Sequence, residues 1–197
     1  VDLSDVPVNR GRYDDEKLEK AVNVRGRNMA ALELYGKKFN HLKAMVNCSG
    51  VEHSKEVARL FGEKGIKVAH IDGTMTEDEQ DKIIEKFENG EIMVITNAKL
   101  LLEGFDEQSL AVTLNLDPTL SAVNAEQRGG RPLRIQDGNP DKWAYVIDFI
   151  DKNSKKNQVL FSEILGGDKV LAEEDEDESG VKKEYEKKEL EQEPPVN

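Results

Sequence analysis

The sequence predicts an α/β fold with a mainly parallel sheet covered by helices. Three observations carry this expectation. Five apolar runs at 44–48, 68–71, 92–96, 111–116 and 144–150 are rich in β-branched residues and too short for helices, which marks buried strands. Helical patterns lie between most of them, and strand–helix alternation builds parallel sheets with ligands gathered beyond the carboxyl ends of the strands. The 197 residues, 37% apolar and 35% charged, suit one domain of ordinary size and are short for two.

Each element has its own justification. Residues 1–12, with Pro7 and Gly11, read as an irregular lead-in. A short helix over 14–23 puts Leu18, Ala21 and Val22 on one face. A second over 26–41 places Met29, Leu32 and Phe39 among its apolar positions. The helix over 51–63 ends at Gly65, a suitable left-handed cap. The helix over 76–89 opens on Thr76-Glu77-Asp78-Glu79, a capping box, carries Ile83, Ile84 and Phe87 as its buried stripe, and closes at Gly90. Residues 121–131 form a helix stopped near Pro132, and 153–165 a last one packing on the sheet. After Gly166-Gly167 the composition turns to acids and lysines, with Glu/Lys pairs over 181–192 that favour local helix. The expected division is a lead-in at 1–42, the α/β domain at 43–167 and a disordered acidic tail at 168–197.

Charge and composition exclude several classes. The net charge is −12, but residues 173–197 hold eleven acids against four lysines, so the rest carries only −5. Acidity is therefore no argument against a local basic groove. The single cysteine, Cys48, excludes an internal disulfide framework and reads as a small buried side chain. His41, His53 and His70 have neither zinc spacing nor catalytic partners in sequence, which favours packing or surface roles. No apolar run is long enough to span a membrane, and the first residues lack a signal-peptide pattern. The chain reads as a soluble, cytoplasmic piece of something larger, since no initiator Met is present.

The most informative segment is Gln127-Arg128-Gly129-Gly130-Arg131-Pro132-Leu133-Arg134. Three arginines within seven residues converge at a helix end, after a strand that ends Asn115-Leu116-Asp117-Pro118. A guanidinium is permanently charged and forks its donors, which suits a phosphoryl group gaining charge in transfer. The same cluster taken alone also reads as a basic patch facing a helix dipole.

The Q-x-x-G-R-x-x-R pattern resembles motif VI of superfamily 2 helicases. Upstream, the segment from Val94 to Asp106, with its Gly104-Phe105-Asp106 signature, resembles motif V, and Ala44 to Ser54 is similar to motif IV. Asp72-Gly73-Thr74-Met75 with Phe87-Glu88-Asn89-Gly90-Glu91 resembles the passage between them. Order and spacing agree over about residues 40–150. Glu103-Gly104-Phe105-Asp106 and the arginine segment look most like the bacterial and phage DEAD/DEAH-like group related to repair and restriction motors.

This resemblance implies a RecA-like three-layer α/β/α domain, the second of two in an ATP-dependent motor. It implies that Arg131 and Arg134 are arginine fingers reaching ATP on a preceding domain of the same parent chain, with Gln127 at that interface and Arg128 in interdomain or support contacts. Gly104 and Asp106 would approach the ribose or the cleft. Ser49, Gly73, Thr96 and Asn97 would lie along a nucleic-acid backbone, DNA in preference to RNA. Magnesium would be held by the other domain, and no metal by this chain.

Plainer readings stand beside these. Asp106 also reads as a turn cap, Gly73 as the turn between strand and helix, and Trp143 and Tyr145 as packing. Gln80 stands where many family members carry an arginine, and Asn97 where an aspartate often follows the threonine. The largest departure is an absence. The nearest Gly-Lys, Gly36-Lys37, lacks the rest of a phosphate-binding loop, and Asp78-Glu79-Gln80-Asp81 lies in a helical first turn rather than after a buried strand. The implied activity thus belongs to a larger protein, with this chain alone inactive. A noncatalytic module keeping the fold as a docking platform and the motor part of a restriction system are the alternatives.

Overall fold

A computed structural model describes residues 1–98, 108–134, 136–139, 141–151 and 158–165. The chain opens with a two-residue hairpin, β1 (Val8–Asn9) and β2 (Arg12–Tyr13). Arg10 and Gly11 both have positive φ, 49° and 78°, which matches the right-handed twist of the flanking strands. This hairpin departs from the irregular lead-in expected of 1–12, because Arg is an unusual left-handed residue and gives no turn signal. Two helices follow, α1 (Asp15–Val22), capped by the Asp14 carboxylate, and α2 (Arg25–Lys38).

Five parallel strands form the sheet: β3 (Lys43–Cys48), β4 (Val68–Asp72), β5 (Val94–Ala98), β6 (Leu110–Asn115) and β7 (Tyr145–Asp148), in the order β4-β5-β3-β6-β7. Helices α3 (Val51–Glu63), α4 (Glu77–Glu88), α5 (Ala122–Gly130) and α6 (Phe161–Ile164) complete the described elements. The expected last helix over 153–165 is described only from 158, and its helical part is the single turn of α6. The tail at 168–197 lies outside the described residues.

Alternate residues of the central strands feed two cores, as the period of a strand requires. Ala44, Val46 and Cys48 face α2 and α3 with Ala31, Leu32, Tyr35, Val57, Leu60 and Phe61. Met45, Ile71 and Ile95 face α4 with Phe87. The lead-in is therefore part of the main core through α2, while Leu3, Val6, Tyr13, Leu18 and Val22 form a small separate cluster. Tyr145 packs against Phe39, the rings tilted with centroids 4.9 Å apart, but Trp143, just outside β7, stays 47% exposed. Cys48 is buried, and burial raises its thiol pKa.

The strand order turns at β3 and β6. The chain leaves β3 toward β4 on one side, and β6 toward β7 on the other, so the crevice for ligands lies beyond the carboxyl ends of these two neighbours. Leu116 N–H donates to Asn47 C=O at 2.9 Å across this point.

Candidate functional site

Beyond β3 the chain passes through Ser49 and Gly50 into α3. Ser49 is 1% exposed and binds His53 Nδ1 through both its backbone N–H, 3.3 Å, and its hydroxyl, 3.0 Å. Because the N–H can only donate, Nδ1 accepts, and the proton sits on Nε2, which donates to Asn28 Oδ1 at 3.0 Å. Burial, with the nearby Arg27 charge, lowers the His53 pKa to about 3. Gly50 offers α3 no side-chain cap; the Glu19 carboxylate of α1 supplies one, accepting from His53 N–H at 2.8 Å. A Cβ on Gly50 would fall inside that carboxylate, so a side chain there would push Glu19 off its present position.

The turn after β4 holds Gly73, which is exposed. Asp72 anchors it by accepting from Thr74 N–H, 2.7 Å, and Thr74 Oγ1–H, 2.6 Å. Burial opposes ionisation of Asp72, but the two Thr74 bonds and His70 at 2.6 Å outweigh it and lower the pKa to about 2. Gln80, where the family pattern has arginine, donates to Asp72 C=O at 3.0 Å and Met75 C=O at 3.3 Å, and so locks the same turn. His70 also meets Ser54 Oγ at 2.7 Å, and Ser54 donates to Thr96 Oγ1 at 3.0 Å.

Thr96 and Asn97 are buried, and their side chains have intramolecular partners. Asn97 Nδ2 donates to Asn47 Oδ1, Asn47 Nδ2 to Asn115 Oδ1, and Asn115 Nδ2 to Asp148 Oδ1, each at 2.7 Å. These residues are in register across β5, β3, β6 and β7. A polar row thus crosses the sheet on the Met45 face, at the crevice end. Asn47, Asn115 and Asp148 were not singled out in the sequence; the available signal is three buried strands that each carry Asn at the carboxyl end.

Helix α5 begins at Ser121, whose hydroxyl accepts from Asn124 N–H, and carries the arginine segment at its end. Gln127 is exposed. Arg128 turns back to the loop before the helix, donating to Asp117 C=O at 3.0 Å and pairing with Asp117 Oδ2 at 2.5 Å. Arg131 folds onto the sheet, where its Nη1 meets Met45 Sδ at 3.6 Å. Among the described residues it pairs with no carboxylate, and burial, with the Arg134 and Arg128 charges, lowers its pKa. Arg134 is exposed, and its C=O accepts from Lys142 Nζ at 3.1 Å. Gly104 and Asp106 lie outside the described residues. The fold therefore brings Arg131 to the strand bearing Asn47, while Ser49 and Gly73 stand at the crevice ends of other connections. Among the described residues no group of three or more His, Cys, Asp or Glu is placed to hold a metal, and no helix is long and apolar enough to cross a membrane.

A sheet of this order with a basic, partly buried helix end at its switch point is the RecA-like class of α/β domain. Residues 26–136 match the family described as helicase conserved C-terminal domain, and the chain belongs to that family, the second motor domain of superfamily 2 helicases. It is 33% identical over 150 residues to a 51.5 kDa protein of Lactococcus phage (isolate 7-9), a match covering 75% of this chain and 32% of that protein. It is 31% identical over 158 residues to the Saccharomyces cerevisiae protein IRC3, which carries an ATP-dependent helicase name, covering 78% of this chain and 22% of that one. The chain thus spans about a third and about a fifth of these relatives. Among solved structures, a fragment of an HsdR subunit of a type I restriction enzyme from Vibrio vulnificus YJ016 shares the fold with a TM-score of 0.58 at 19% identity, over 69% of this chain and 29% of that chain.

Proposed function

We propose that this chain is the second motor domain of an ATP-dependent translocase or helicase acting on nucleic acid, DNA in preference to RNA, and that it completes an ATP site on a preceding RecA-like domain. The observation that carries the reading is Arg131, a partly buried cation flanked by Arg128 and Arg134 with no carboxylate partner among the described residues. Such a cluster stabilises itself by receiving an anion, and a forked guanidinium suits phosphoryl oxygens. Arg131 and Arg134 serve as the fingers, Gln127 lines the interface, and Arg128, held by Asp117, keeps the helix end in place. Gly104 and Asp106 are assigned to the ribose or the interdomain cleft. When bound, ATP with magnesium supplies the phosphoryl group to be transferred, and the magnesium ligands belong to the other domain.

On the nucleic-acid side, exposed Gly73 lies along the backbone track, while buried Ser49, Thr96 and Asn97 act from beneath it by holding the strand ends in place. The functional division in this reading has the motor domain at 43–167 and the lead-in at 1–42, whose α2 shares the main core.

The test is made in the complete protein that carries this chain. Arg131→Ala and Arg134→Ala should each lower ATP turnover by roughly 10³–10⁵, the range for arginine fingers, with the thermal unfolding midpoint retained. Arg131→Lys should not restore the rate, since an ammonium lacks the planar fork. Parent-level turnover in both alanine variants would reduce the cluster to a basic helix end.

A further inference from the structure

The polar row described above does not end at Asp148. Its second carboxylate oxygen, Oδ2, accepts from the backbone N–H of Phe161 at 2.9 Å. Phe161, 5% exposed, lies directly on Gly129 in the middle of the arginine segment, and a Cβ on Gly129 would fall inside its ring. Neighbouring bonds hold this segment down: Val159 N–H donates to Thr119 C=O at 2.8 Å, and Gln158 Nε2 to Phe149 C=O at 3.0 Å. One unbroken set of contacts therefore runs from the end of β5 to α5.

The row has a polarity that the chemistry fixes. A carboxylate only accepts, so Asn115 must turn its Nδ2 to Asp148, which leaves its Oδ1 for Asn47 and Asn47 Oδ1 for Asn97. Each amide is oriented by the next, and aligned hydrogen bonds in a buried setting strengthen one another. Rotation of Asn97 thus disturbs every donor down to Asp148, and Asp148 in turn sets where Phe161 rests on Gly129.

We propose that Asp148 and Phe161 are positioning residues for the arginine-bearing helix, and that the Asn97–Asn47–Asn115 row transmits a displacement at the end of β5 to that helix. The linkage itself is a property of this chain; its consequence for ATP turnover rests on the reading of α5 given above.

The linkage is tested on the 197-residue chain by the backbone amide resonances of Phe161 and Gly129. Asn97→Ala should shift both, although Asn97 lies three strands away from Asp148 in the row. In an Asn115→Leu background, which cuts the row at its middle, the same Asn97→Ala change should leave them still. Amides unmoved by Asn97→Ala, or moved equally in both backgrounds, would overturn the proposal. Asn115→Ser, too short to bridge the strands, replaces Asn115→Leu if that variant does not fold.

In the complete protein, Asn115→Leu should lower the stimulation of ATP hydrolysis by oligodeoxythymidylate about fivefold or more, the lower range of coupling between sites. The unstimulated rate should hold. Stimulation at the parent level would show that the row transmits nothing to turnover. Failure of Arg131→Ala to slow hydrolysis would instead overturn the function assigned to α5, while the resonance test stands independently.

Discussion

His53 is a buried imidazole whose two nitrogens are both committed, Nδ1 to Ser49 and Nε2 to Asn28. Protonation would force Nδ1–H against the Ser49 N–H, which adds to the cost of burial. Its pKa of about 3 lies below the unfolded value of about 6.5, so between these pH values the unfolded chain binds the extra proton. Stability therefore falls as pH falls from about 6.5 toward 3, with a slope approaching 1.4 kcal/mol per pH unit, roughly, from this group alone. In urea unfolding the parent chain should lose stability on acidification more steeply than His53→Gln, by about that slope; parallel pH profiles would count against a neutral buried His53. Arg27 is the second residue to test. It bridges α2 to Asp151 through two bonds, 3.1 and 2.8 Å, and to Leu116 C=O at 2.6 Å. Both side chains are nearly sealed, so Asp151→Ala strands a charge and should cost about 3–5 kcal/mol in unfolding free energy. Asp151→Leu with Arg27→Met should recover most of that loss. Equal destabilisation by the double variant would mean the hydrogen bond to Leu116, not the pair, holds α2.

Among elements, α3 and α4 are capped by different means. For α4 the cap is local: Thr76 and Glu79 each satisfy the other's backbone donor. That box was legible because its parts lie three residues apart. For α3 the cap comes from Glu19, more than thirty residues upstream, and no local pattern announces it. Glu19→Ala should cost about 1 kcal/mol, the usual worth of a helix cap, read as a lower unfolding midpoint with faster amide exchange at His53. Unchanged exchange there would show that α3 needs no cap from α1. Each end of the five expected strands lies within two residues of its observed limit, because a buried parallel strand is a continuous run rich in β-branched residues. Helix α2 ends at Lys38 rather than 41, since Phe39 leaves helical geometry to reach the core. The hairpin at Val8–Tyr13 was missed because, of its two central residues Arg10 and Gly11, only Gly11 is suited to positive φ.

For the whole molecule, residues 26–136 carry the helicase C-terminal family region, and the 197 residues hold no Gly-x-x-x-x-Gly-Lys-Ser/Thr loop. The 197-residue chain should therefore show no appreciable ATP hydrolysis with or without oligodeoxythymidylate, and only weak ATP binding by calorimetry. Robust stimulated hydrolysis by the purified chain would overturn the assignment of the loop to another domain. The sequence by itself determined the fold class, the order of the motifs and the family, because those depend on local periodicity and on short segments whose spacing is read along the chain. It also marked the arginine segment as the place where chemistry would act. Only the tertiary structure decided what each polar residue does. The resemblance implies that Thr96 and Asn97 lie along a nucleic-acid backbone; parallel pairing buries both side chains, in bonds to Ser54 and Asn47. Arg128 and Arg131, three residues apart, part company because a helix end turns one to Asp117 and lays the other on Met45. Partners brought together from distant strands are a matter of register and burial, and neither is written in any stretch short enough to read alone.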